Sequence, residues 1–109
     1  GLGHRFLRHI QRTSILLYLL DIGAPDHISA FRTLRSELYF YDPFMEKKPS
    51  LVVISKLDTL PEDSRDGALE GIRADFKKEF GLGVLPISAV ARINLEELKF
   101  LLYKMLKEQ

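Results

Sequence analysis

Two short polar stretches carry the residues best placed for chemistry. Ser55-Lys56-Leu57-Asp58 follows the apolar run Leu51-Val52-Val53-Ile54, and Ser88-Ala89-Val90 follows Val84-Leu85-Pro86-Ile87. A third polar residue, Asp21, closes the apolar run that starts at Ile15. Each stands where a buried strand would end, and in parallel α/β sheets ligands gather beyond the carboxyl ends of strands. A lysine and a carboxylate in one such loop set a cation beside a two-oxygen acceptor. The same Lys-x-Asp pair also serves as an ordinary solvated turn, and Asp21 serves equally well as a loop cap. A further cluster lies near the start, where His4, Arg5, Arg8, His9 and Arg12 surround an apolar stripe of Leu2, Phe6, Leu7 and Ile10. It reads either as the solvated face of a core-packed helix or as a contact surface for an anion or RNA.

Elements able to position these residues fit into one small domain. The chain has 109 residues, 46% of them hydrophobic and 28% charged, with a net charge of +1. That is an ordinary globular composition, and no global field points to nucleic acid or a membrane. There is no cysteine, which excludes disulfides and thiolate metal sites and is compatible with a cytosolic protein. No apolar run approaches the roughly 20 residues of a membrane-spanning helix. The first residues resemble neither a signal peptide nor a transit peptide and enter a helical pattern with no lead-in.

Along the chain, strands alternate with helices. Residues 14–21 carry six apolar residues in succession, as expected of a strand buried on both faces. Ile28, Phe31, Leu34, Leu38 and Tyr41 step at helical spacing until Asp42-Pro43 stops the helix, and Phe44 and Met45 add a half-turn. The aromatic residues Phe31, Tyr39, Phe40, Tyr41 and Phe44 read as core and rim. After the strand 51–54 a helix starts at Pro61-Glu62-Asp63, buries Leu69, Ile72, Phe76 and Phe80, and ends at Gly81. Gly71 is a mild defect inside it. Pro86 marks the third strand as an edge strand, because proline donates no ladder hydrogen bond. Asn94 and Glu97 predict a capping box, followed by the buried stripe Leu98, Leu101, Leu102, Met105 and Leu106. This order predicts three parallel strands with right-handed crossovers and helices on both faces.

In such a frame Ser55-Lys56-Leu57-Asp58 resembles the Asn/Thr-Lys-x-Asp box of GTPases, and Ser88-Ala89-Val90 resembles their Ser-Ala-x box. The segment Gly1 to Thr13 is similar to the stretch after switch II in the Obg (CgtA) family of GTPases. Leu16 to Asp21, Glu37-Leu38-Tyr39-Phe40-Tyr41, Pro86-Ile87-Ser88-Ala89 and Leu95-Glu96-Glu97-Leu98 also look like that family. The resemblance covers essentially residues 1–109. It implies an α/β fold that is the carboxyl-terminal half of a Ras-like P-loop NTPase domain.

Within that resemblance, the Asp58 carboxylate would accept hydrogen bonds from the ring N–H and exocyclic amine of guanine. The Lys56 stem would lie along the base, Ser55 would tie the loop to its neighbours, and the backbone of Ser88, Ala89 and Val90 would meet the guanine carbonyl. Ser55 stands where the family usually has Asn, which implies weaker bracing and unchanged guanine choice. The family implies cytoplasmic GTP/GDP binding, slow hydrolysis with Mg²⁺, association with the large ribosomal subunit or its rRNA, and roles in ribosome assembly or stress control. Residues 1–109 contain no Gly-x-x-x-x-Gly-Lys-[Ser/Thr] loop, switch threonine or Asp-x-x-Gly. Phosphate and Mg²⁺ handling sits in those parts. The expectation is therefore a fragment with no catalytic or metal-ligating residue of its own, inactive alone, that self-associates through an open strand edge at 14–21. The alternative is a non-catalytic α/β interaction module that binds RNA or a protein partner through the basic helix 4–12.

Overall fold

A computed structural model describes residues 15–107. The basic segment 4–12, with its expected helix, lies outside the described residues. The elements are strand β1 (Leu16–Asp21), helix α1 (His27–Tyr41), a 3-10 turn (Pro43–Lys47), strand β2 (Ser50–Ser55), a second 3-10 turn (Leu57–Thr59), helix α2 (Glu62–Phe80), strand β3 (Val84–Pro86) and helix α3 (Leu95–Lys107). The strands run parallel in the order β1-β2-β3. In register, Asp21 stands beside Ser55, and Ile54 beside Pro86. Pro86 is thus on an edge strand, where its missing N–H disrupts no second ladder.

Local chemistry sets the boundaries. Asp26 caps α1 by accepting the Ser29 N–H at 3.1 Å, while Ser29 Oγ donates back at 2.9 Å. Asp42 ends that helix and caps the next turn through the Phe44 N–H at 3.0 Å. Within this turn Met45 is buried and Phe44 is exposed. Helix α2 begins after Pro61 with Glu62 and Asp63 in its first turn. It stops at Gly81, whose φ of 67° is the left-handed conformation that glycine adopts without steric cost.

Helices α1 and α2 cover one face. Leu16, Tyr18 and Leu20 of β1 pack there with Phe31, Leu38, Leu69, Ile72 and Phe76. The opposite face carries α3, where Leu95, Leu98 and Leu101 meet Val53, Leu85 and Ile87. The expectation that β1 is buried on both faces does not hold. Leu17 and Leu19 are 46% and 57% exposed, because the packing of α3 falls on β2 and β3 and stops short of β1.

Three further expectations change. Asn94 does not form the capping box: its φ is 59°, and Nδ2 donates to the Pro86 carbonyl at 2.9 Å. The amide thereby joins the loop to β3. The α3 stripe is only partly covered, with no fully buried residue in the helix. A 13-residue helix spans about 20 Å, whereas the three residues of β3 offer about 10 Å of floor. Tyr41 at the end of α1 is also exposed rather than buried, and Phe40 stands almost fully in solvent.

Candidate functional site

The residues singled out in sequence converge at the carboxyl ends of β2 and β3. Ser55 ends β2, and its Oγ donates to the Leu20 carbonyl of β1 at 3.2 Å. Lys56 then takes the left-handed conformation, φ 63°, which costs a non-glycine residue on the order of 1 kcal/mol. Thr59 holds that turn, donating to the Lys56 carbonyl from its N–H at 3.0 Å and from Oγ1 at 2.7 Å. Leu57 is buried, and its N–H donates to the Ile87 carbonyl of the neighbouring loop at 3.1 Å. This anchor places Asp58 beside Ser88.

Ser88 is fully buried and works in three directions. Its backbone exchanges two hydrogen bonds with Ile93, at 3.2 and 2.9 Å, closing the loop between β3 and α3. Its Oγ accepts the Ala91 N–H at 2.9 Å and donates to Asp58 Oδ1 at 2.7 Å. The two loops, far apart in sequence, are therefore joined by a charge-assisted hydrogen bond. A carboxylate has about four acceptor positions, so Asp58 retains capacity for a planar pair of N–H donors. Ala89 and Val90 are exposed beyond Ser88.

Asp21 joins the same cluster. Its Oδ1 accepts the Gly23 N–H at 2.8 Å, and Oδ2 lies 3.0 Å from Lys56 Nζ. The Gly23 hydrogen bond, followed by the Lys56 contact, lowers its pKa below the usual carboxylate value. Its loop-capping role was legible in the sequence, but its pairing with Lys56 was not. Thr59 also escaped the sequence reading, and Asn94, read there as a helix cap, instead ties the loop before α3 to the Pro86 carbonyl. For Thr59 a signal existed, because a hydroxyl three residues after Lys56 can return to its carbonyl in the manner of an ST turn.

This site is open to solvent, with the Lys56 and Asp21 side chains 64% and 45% exposed. Among the described residues, one cavity lies between α1 and α2, lined by residues such as Pro25, His27, Ile72 and Phe76, and another lies beside the site, lined by residues that include Leu57, Pro86, Ile93 and Asn94; neither is lined by Ser55, Lys56, Asp58, Ser88, Ala89 or Val90. No cluster of three or more His, Cys, Asp or Glu able to hold a metal ion occurs among the described residues.

No protein-family model matches the chain. Individual proteins do match it. It is 39% identical over 109 residues to the GTPase Obg of Synechocystis sp., covering 99% of this chain and 28% of that protein. It is 44% identical over 98 residues to the GTPase Obg of Methylacidiphilum infernorum, covering 88% of this chain and 26% of that one. Among solved structures, Era in complex with MgGDPNP and nucleotides 1506–1542 of 16S ribosomal RNA aligns with a TM-score of 0.62 and 26% identity, over 91% of this chain and 31% of Era. A probable GTP-binding protein EngB aligns with a TM-score of 0.60 over 97% of this chain and 63% of that one; at 18% identity it supports the fold alone. The chain thus spans under a third of the length of these Obg relatives.

Fold and paired loops together define a Ras-like GTPase domain, of which three parallel strands and their helices are present. More narrowly, the chain is a segment of a G domain of the Obg type.

Proposed function

We propose that the chain is the carboxyl-terminal, base-reading portion of the G domain of a protein that binds GTP and hydrolyses it to GDP. In this reading the Lys56 stem lies along the guanine face. Asp58 accepts the ring N–H and the exocyclic amine, and Ser88, Ala89 and Val90 frame the carbonyl. Ser55 braces the loop against β1. The observation that carries this reading is the 2.7 Å hydrogen bond from Ser88 Oγ to Asp58 Oδ1, which presents the two loops as one surface.

Phosphate loop, switch threonine and Asp-x-x-Gly then belong to the remainder of the whole protein, as do the ligands of the Mg²⁺ that accompanies the nucleotide. The 109 residues alone do not hydrolyse GTP. The whole protein acts in the cytoplasm on the large ribosomal subunit or its rRNA, in ribosome assembly or stress control. The outer edge of β1 supports the fragment reading. The N–H groups of Leu16 and Ile22 donate towards β2 and its flanks, so by strand alternation those of Leu17 and Leu19 point outward. A whole G domain sets a strand there, and the isolated chain self-associates through this edge.

Base reading is tested with Asp58→Asn in the intact protein. Asparagine presents an N–H donor that suits the 2-carbonyl of xanthine in place of the 2-amine of guanine. The variant is expected to move preference from GDP towards XDP in equilibrium titrations. Unchanged preference would remove Asp58 from the base-reading role.

A further inference from the structure

Asp21 lies outside the two loops assigned to the base, yet it reaches into them from β1. In register it stands beside Ser55, one residue before the lysine. Its Oδ1 is fixed by the Gly23 N–H at 2.8 Å. The His27 Nε2 lies 2.9 Å from the Asp21 carbonyl oxygen and ties the turn to the start of α1. A carboxylate fixed this way is a firm anchor, and the partner on Oδ2, at 3.0 Å, is the Lys56 ammonium.

Lys56 is fixed at its other end too. Its left-handed backbone is clamped by both Thr59 hydrogen bonds. A free lysine side chain samples many rotamers, and a ligand that packs on its stem must first order it. Here the backbone and ammonium are both pinned, so the four methylenes between them are ordered before any ligand arrives. The pair is solvent-accessible, with side chains 64% and 45% exposed, and such pairs add little to folding stability. Ordering the stem is the use that remains for it.

We propose that Asp21 is a positioning residue for nucleotide binding: it holds the Lys56 ammonium so that the lysine stem forms a preset shelf for the flat face of the base. This rests on the guanine-nucleotide reading given above. Asp21 then supports the face of the base and Asp58 reads its edge. The two carboxylates therefore separate into an affinity role and a choice role. Asp21 serves guanine and xanthine alike.

Asp21→Asn keeps an oxygen for the Gly23 N–H and deletes the charge facing Lys56. In titration calorimetry on the intact protein it is expected to weaken GDP binding about three- to fivefold, the factor associated with a partly exposed ion pair. In the Asp58→Asn background XDP binding falls by the same factor. In a Lys56→Met background, which keeps an apolar stem and lacks the ammonium, Asp21→Asn has no additional effect. The thermal midpoint stays at that of the wild type. Wild-type GDP affinity in Asp21→Asn, a different factor for XDP, or an equal loss in the Lys56→Met background would each overturn the positioning role and leave the guanine reading standing. A wild-type protein that binds ADP as tightly as GDP would overturn both.

Discussion

The two faces of the sheet are built to different depths. Beneath α1 and α2 the core is aromatic and closed. Phe31 sits edge-on to Tyr18, Phe76 and Phe80, with ring centroids 4.8, 5.4 and 4.7 Å away. Arg35 covers the cluster, its guanidinium 4.7 Å from the Phe80 ring and 5.1 Å from Phe31. Beneath α3, by contrast, Val53, Leu85 and Ile87 are buried while the helix itself buries no residue fully. Beside them Leu17 and Leu19 face solvent. Stability on this chain is therefore concentrated on one face, and the other keeps apolar surface that a larger domain would cover.

The sharpest way to break this comparison is to truncate one residue on each face. Phe76→Ala is expected to cost about 3–5 kcal/mol, as removal of a fully buried aromatic residue does, and to abolish cooperative unfolding in urea. Leu98→Ala on the α3 face is expected to cost markedly less, about 1–2 kcal/mol, because the side chain is already partly in water. Equal losses would mean that the two faces share the load.

A smaller effect separates the chain alone from the whole protein. Leu17→Lys with Leu19→Lys should change the unfolding free energy of the 109-residue chain by no more than about 0.5 kcal/mol, as exposed substitutions generally do. The same pair should make its sedimentation coefficient independent of concentration. Persistent self-association would place that contact elsewhere. In the intact protein these substitutions should lower the thermal midpoint, since the strand would then be covered.

A gain is expected on the closed side. Gly71 lies in mid-α2, and a Cβ there meets nothing within 4 Å. Gly71→Ala should stabilise by up to about 1 kcal/mol in urea titration. Gly81→Ala should destabilise, because its φ of 67° disfavours a side chain.

Much of this organisation was legible in one dimension. The spacing of Phe31, Leu34 and Leu38, and of Leu69, Ile72 and Phe76, identifies the helix faces turned towards the sheet. Pro86 announces an edge strand, and Pro61 and Gly81 bracket α2. These signals are local: they depend on rotation per residue, a missing N–H or an allowed φ, all of which act within a few residues. By the same logic the polar loops after Ile54 and Ile87 could be picked out as strand ends.

What the chain could not disclose by itself depends on which element lies above which. Alternation in β1 was hidden because Leu17 and Leu19 are as apolar as Leu16 and Leu20, and only the placement of α3 over β2 and β3 leaves them exposed. Asn94 sits in a sequence that favours a capping box, yet a carbonyl on β3 captures its amide. Ser88 meets Asp58, and Lys56 meets Asp21, across strands rather than along the chain. Residue types and local spacing determined the strands, the helices and the candidate loops. Tertiary structure decided which polar groups became partners, because hydrogen bonds and ion pairs reach only about 3 Å and the fold alone brings distant residues that close.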